Sequence, residues 1–262
     1  MSDPSGRGPD PIPVSLTVPY RVRFDECGPG GLPRTSTLLR HAQDIAWLHA
    51  ELLGINREWT RAHGLTWLVR AAEVTILCPI PMGSSLRVTT LLGGARKVLA
   101  RRTTEVRLED GTLASSGLTD WVVVDDRGRP VRLPEDFLAR VAVVRQGFEP
   151  CRVALPPEPS GATVIAAAVR PQDLDPLGHV NNGAYLDYLE EAVLAAGRPG
   201  EVAARAIPRT VRLEYIAPAG PGMRLRGAAW PERAATGAAS WAWQITSEDD
   251  GRELARGRLT GG

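Results

Sequence analysis

The chain has 262 residues, enough for one large or two medium globular domains, each with a buried core. Its 31 basic and 30 acidic side chains leave a net charge of +1, so the charge balance draws it neither to nucleic acid nor to a membrane surface. No run approaches the ~20 apolar residues of a membrane span, and no charged-then-apolar leader opens the chain. Cys27, Cys78 and Cys151 are far apart and lack Cys-x-x-Cys spacing. That argues against zinc or a disulfide framework and for reduced thiols in the cytoplasm.

In chain order, residues 1–13 are rich in Gly, Pro, Ser and Asp and read as a disordered tail. Leu38, Ala42, Ile45, His49 and Leu52 then fall on one face of a helix, with Thr35 or Ser36 able to cap it. A strand-like run follows from Val74 through Pro81-Met82-Gly83 to Val88. Next comes a hairpin signalled by Asp110-Gly111. A proline-rich connector occupies residues 136–159.

The second half repeats the plan. Tyr185, Leu189, Ala192 and Ala196 share a helix face, with Asn181 or Asn182 as cap. A run from Val211 through Pro218-Ala219-Gly220 to Leu225 matches the earlier one at a spacing of 137 residues, and Asp250-Gly251 marks the second hairpin. One helix followed by strands, twice over, predicts an α+β protein of two similar domains, residues 14–135 and 160–262.

The chemistry gathers in Asp173-Leu174-Asp175-Pro176-Leu177-Gly178-His179-Val180-Asn181-Asn182. This stretch places a carboxylate beside the N–H groups at a helix start, where a developing oxyanion can be held. Asp175 can act as general base or as nucleophile, His179 and Asn182 can hold water or polarise a carbonyl, and the backbone at Gly178, Val180 and Asn181 is the expected oxyanion site. Asp173 reads as a turn residue, and Glu190 and Glu191 as a solvated face or an ion pair between domains. The sequence has no glycine-rich phosphate loop, metal-ligand cluster or Gly-x-Ser-x-Gly elbow, so neither metal nor cofactor is expected.

The motif Asp173-x-Asp175-x-x-Gly178-His179-Val180-Asn181-Asn182-x-x-Tyr185 resembles the signature of hotdog-fold thioesterases. From Val14 onward the chain resembles the acyl-acyl-carrier-protein (acyl-ACP) thioesterases of plants and bacteria. Further matches are Leu38-Leu39-Arg40-His41-Ala42-Gln43-Asp44, Thr66-Trp67-Leu68-Val69-Arg70 and Trp121-Val122-Val123-Val124-Asp125. The resemblance implies a tandem hotdog in which each half has a long central helix wrapped by an antiparallel sheet. It also implies an acyl chain in a tunnel, walled here by Trp67, Trp121 and Tyr185, and hydrolysis of the thioester of ACP or coenzyme A to release a medium or long fatty acid.

Plant members carry an Asn two residues after the catalytic Asp and a Glu after the second helix; here those positions are Leu177 and Pro218. Matching Gly178 to Gly30, an offset of 148, puts Cys27, Gly31 and Arg34 where Asp175, His179 and Asn182 stand. One active site, in the second half, is therefore expected. Two alternatives stay open: a hotdog enzyme releasing, dehydrating or cyclising a polyketide-like thioester, and a non-catalytic acyl-binding protein. The local run Arg96, Lys97, Arg101 and Arg102 could meet an acidic carrier or the nucleotide end of coenzyme A. A homodimer is compatible with the duplicated chain.

Overall fold

The computed structural model describes residues 14–140, 148–233 and 239–261. The expected tail lies outside them, as does part of the connector. Ten strands among the described residues form one sheet. In the first half they are β1 (Ser15–Arg21), β2 (Leu65–Ile76), β3 (Ser85–Arg96), β4 (Leu99–Leu108) and β5 (Leu113–Asp125). The second half supplies β6 (Thr163–Ala168), β7 (Arg209–Tyr215), β8 (Arg224–Arg233), β9 (Ala239–Ser247) and β10 (Glu253–Gly261). Their spatial order is β1-β3-β4-β5-β2-β7-β10-β9-β8-β6.

That order is palindromic: each half runs hairpin by hairpin toward its own second element, and β2 meets β7 antiparallel at the centre. Across the seam Thr75 and Thr210 share a hydroxyl bond of 2.9 Å, and Arg212 pairs with Glu73. Both Asp-Gly pairs make the hairpins expected of them, with Gly111 and Gly251 at positive φ.

Two helices carry the interior. The first, α1 (Thr35–Leu52), buries Leu38, Ala42, Ile45 and His49, while Leu52 is exposed at its C-terminal end. Short α2 (Arg57–Ala62) and α3 (Glu135–Arg140) close the first half, and α4 (Asn182–Leu194) and α5 (Arg198–Arg205) belong to the second. Along α4, Tyr185, Leu189 and Ala192 are buried and Ala196 is half-buried just beyond its end. The helices α1 and α4 lie side by side, joined by Thr35 to Glu190 and by Arg40 to Asp187 at 2.8 Å.

The structure moves the match between halves. The 3-10 turn Phe24–Glu26 superposes on Pro171–Asp173, the bridge Cys27–Pro33 on Leu174–Val180, and helix cap Arg34 on Asn181. Each pair is 147 residues apart. Likewise the β1–β3 and β6–β8 registers place Gly83 on Gly222, both at positive φ, a spacing of 139 rather than 137. The connector also has a visible task. Cys151 N–H donates to Asp120 at 2.7 Å, and Arg152 and Val153 reach Glu214, strapping the sheet across its central seam.

Candidate active site

The loop before α4 is held from below by a buried carboxylate. Asp173 accepts from the Arg170 N–H and guanidinium at 2.9–3.0 Å and from the Tyr188 hydroxyl at 2.7 Å. Burial pushes its pKa up, but these donors outweigh that and hold it below the usual carboxylate range. Asp173 is thus the anchor of the loop rather than a passive turn residue. The first half keeps the same device with other residues, where Glu26 binds Arg23 and His41.

Asp175 stands on that anchor, half-buried. Its Oδ1 accepts from Leu177 N–H at 2.8 Å and, at a long 3.4 Å, from His179 N–H, which closes a tight turn. Gly178 takes the positive φ of that turn. Oδ2 has no bond among the described residues, which leaves its acceptor capacity unused. His179 is half-buried, and its ring has no hydrogen bond among the described residues.

The expected oxyanion donors are already engaged. Gly178 N–H bonds the Asp175 carbonyl at 2.9 Å, Val180 N–H the Ala219 carbonyl at 2.9 Å, and Asn181 N–H the Asp173 carbonyl at 2.7 Å. The Asn181 side chain caps the helix by accepting from Gly183 N–H, and its carbonyl takes Ala184 N–H. That leaves Asn182 N–H, the first of α4, as the first-turn donor without a partner among the described residues. The Asn182 carbonyl, on the next peptide unit, accepts from the Tyr215 hydroxyl at 2.9 Å.

Tyr185 belongs to this polar group more than to a tunnel wall. Its hydroxyl accepts from Ala219 N–H at 3.2 Å, and its ring meets Tyr215 edge-on. Burial, with a smaller contribution from the Asp175 charge, raises its pKa to about 12, so it keeps its proton. Sequence reasoning read Tyr185 as an apolar helix position. The signal it missed was polar: two tyrosines, Tyr185 and Tyr215, directed at one helix head.

The other expectations separate. Trp67 packs on Phe137, with ring centroids 5.2 Å apart, in a small core with Leu53, Ile55 and Trp59. Trp121 borders the main core and donates to Thr119 at 2.9 Å. The basic run does not form a patch. Arg101 is held by Asp120, Arg96 binds Glu149, and Arg102 is buried against His49, because alternate strand residues face opposite sides of a sheet. Pro218 precedes Ala219, whose carbonyl and N–H clasp Val180 and Tyr185.

With the offset corrected by one residue, Asp175, His179 and Asn182 superpose on Gly28, Leu32 and Thr35, not on Cys27, Gly31 and Arg34. Cys27 sits at the place of Leu174, its Sγ turned to the Arg23 carbonyl at 3.4 Å, and burial raises its pKa. Glu191 is exposed. Glu190 instead lies between the halves, bonded to Thr35 and beside Arg209, and burial raises its carboxyl pKa. No group of three or more His, Cys, Asp or Glu among the described residues is placed to hold a metal ion. No helix among them is long and apolar enough to cross a membrane.

The model of the acyl-ACP thioesterase N-terminal domain matches residues 14–141, and that of the thioesterase-like superfamily matches residues 169–261. Among curated proteins none matched. A Lactobacillus plantarum protein provisionally named an oleoyl thioesterase is similar in fold at 18% identity and a TM-score of 0.82, over 94% of this chain and 95% of that one. The 12:0-ACP thioesterase of Umbellularia californica is similar at 18% identity and a TM-score of 0.79, over 94% and 93%. An acyl-ACP thioesterase of Bacteroides thetaiotaomicron follows at 16% identity and 0.74, over 94% and 97%. The chain belongs to the acyl-ACP thioesterase family of double-hotdog thioester hydrolases.

Proposed function

We propose that this hydrolase works from the head of α4, with Asp175 as general base and the Asn182 N–H as oxyanion donor. The observation that carries the reading is the half-anchored carboxylate: Oδ1 is fixed by the turn, while Oδ2 and, in the first turn of the helix that follows, the Asn182 N–H have no partner among the described residues. Asp175 takes a proton from water as the water oxygen bonds to the thioester carbonyl carbon. The carbonyl oxygen becomes an oxyanion against Asn182 N–H, aided by the positive end of the helix dipole. The C–S bond then breaks, and the proton held by Asp175 passes to the leaving thiolate. The products are a free acid and the carrier thiol.

His179 and the Asn182 side chain supply further contacts to the water, and the Tyr185 hydroxyl still has its own proton to donate at the same head. Acyl-ACP is the proposed donor on family grounds, with coenzyme A as the competing carrier. Leu177 and Pro218 leave the site without two polar groups of the plant pattern, so it runs on one carboxylate and a helix end.

The test is release of free thiol from acyl-ACP and acyl-CoA by wild type and Asp175→Asn. Asparagine keeps the turn acceptor but not the base, so turnover falls about 1,000-fold with the fold intact. Near-normal turnover in the variant removes Asp175 from the mechanism. An intact-mass product lighter by water, rather than a free acid, supports the dehydrating or cyclising alternative.

A further inference from the structure

The interior between α1 and its sheet is crossed by a polar layer. Arg102 on β4 is 7% exposed and donates to His49 Nδ1 on α1 at 2.8 Å. A guanidinium has no acceptor, so Nδ1 must accept, and the imidazole proton stands on Nε2. Around the pair lie Thr90, Thr104 and Thr119, all buried, with Trp121 donating to the Thr119 hydroxyl. No carboxylate pairs with Arg102 among the described residues, and burial alone lowers its pKa to about 10, leaving it charged at neutral pH. The layer separates the main core from the small core of Leu53, Ile55, Leu92 and Phe137.

The strand registers show what such a place looks like when it is merely packed. Arg102, Thr104 and Thr119 superpose on Trp241, Trp243 and Leu259 of the second half, which are buried in the main core. Glycines confirm the match. A Cβ on Gly117 would strike the Glu73 carbonyl at 2.6 Å, and one on Gly257 the Arg212 carbonyl at 2.7 Å. The same backbone can therefore be filled with tryptophan, and the first half carries a lone buried cation there instead. A desolvated charge of this kind is costly unless an opposite charge meets it.

The layer lies along α1 from the head of α4. The pairs Thr35–Glu190 and Arg40–Asp187 set α1 antiparallel to α4, which brings Gln43 level with Asn182. His49 lies six residues on, about 9 Å along α1. A cavity of about 10 Å³, room for one water, already opens beside the layer between Leu38 and Ala42 of α1 and Thr104 and Thr119 of the sheet.

We propose that the Arg102–His49 layer is the far end of the acyl chamber and receives an anionic oxygen group, a carboxylate, at the distal end of the substrate's acyl chain. The proposal names the substrate class for the hydrolase centred on Asp175 and rests on that reading only for where the thioester lies.

Binding tests it without turnover, using acyl-pantetheine analogues in which an amide replaces the thioester. Carboxyl-ended, hydroxyl-ended and methyl-ended chains are compared as a length series by titration calorimetry. Wild type binds the carboxyl-ended analogue about 30-fold more tightly than the methyl-ended one, the scale of one charge-assisted bond, with the hydroxyl-ended analogue between. Arg102→Met erases the ranking, because it removes the only charge of the layer that can meet the carboxylate. Asp175→Asn retains the ranking. A methyl-ended analogue that binds wild type as well as the carboxyl-ended one overturns the proposal, whether or not Arg102→Met folds. So does a preference that survives in Arg102→Met. Full turnover by Asp175→Asn with the ranking intact would remove Asp175 from the mechanism and leave this proposal standing.

Discussion

At the head of α4 the loop carries Asp175, His179 and Asn182; at the head of α1 the same backbone carries Gly28, Leu32 and Thr35. The turn, its positive-φ glycine and an anchoring acid survive in both, as Gly178 with buried Asp173 and Gly31 with half-buried Glu26. The side chains on that shared backbone differ, and with them the groups that could meet a thioester. Under the helices the contrast reverses. The second half is packed with Trp241, Trp243 and Leu259, and the first half holds Arg102, His49 and three threonines. On the proposed mechanism the twofold scaffold divides its work: one half keeps the reactive loop over a filled interior, and the other keeps a polar interior under a loop without a base.

The largest expected effect on this comparison is chemical. Asp175→Asn lowers turnover about 1,000-fold, while Gly28→Asp restores nothing in that background, since Thr35 at the head of α1 already faces Glu190. A Cβ at Gly28 meets nothing within 4 Å, so the second variant folds. Thiol release by the single and double variants reads both.

Next comes packing. Trp243→Ala opens a cavity in a fully buried site and costs about 3–5 kcal/mol, whereas Thr104→Ala at the matching place costs less than about 1.5 kcal/mol. Denaturant midpoints give the two values, and equal costs would break the contrast between the interiors.

Smaller, and dependent on pH, is the anchor. Asp173→Asn loses charge-assisted bonds to Arg170 and Tyr188 and destabilises at neutral pH by about 2 kcal/mol. The folded-state pKa of Asp173 lies below its unfolded value, so its contribution is present above the unfolded pKa. It fades as pH falls through the folded one. The gap between wild type and variant should therefore close in acid, and a constant gap would show that the ionised carboxylate is not the source. The smallest effect is shared: Gly31→Ala and Gly178→Ala each force a side chain to positive φ and cost about 1 kcal/mol. Unequal costs would mean that the two loops are not the same turn.

Much of this was legible beforehand. Helical spacing showed α1 and α4, Asp-Gly pairs showed the hairpins, and the run of residues 173–182 showed where the chemistry lies. The alignment of the halves was not. Gly28, Gly30 and Gly31 offer several matches to Gly178, and only Gly31 shares its positive φ and its bond to the residue three before. The helix cap slipped too: Thr35 and Ser36 are good capping types, but Arg34 takes the position because the loop bond to Glu26 sets where the helix begins.

By itself, then, the sequence determined a twofold α+β chain with one acid-bearing loop at a helix start, because spacing and turn chemistry are local and act within a few residues. Which helix-end amide stays open was decided by carbonyls at Asp173 and Ala219 arriving from other parts of the fold. Which arginine is buried was decided by the face each strand turns to α1. Hydrogen-bond partners and burial are properties of groups brought together by the sheet, and no spacing along one segment contains them.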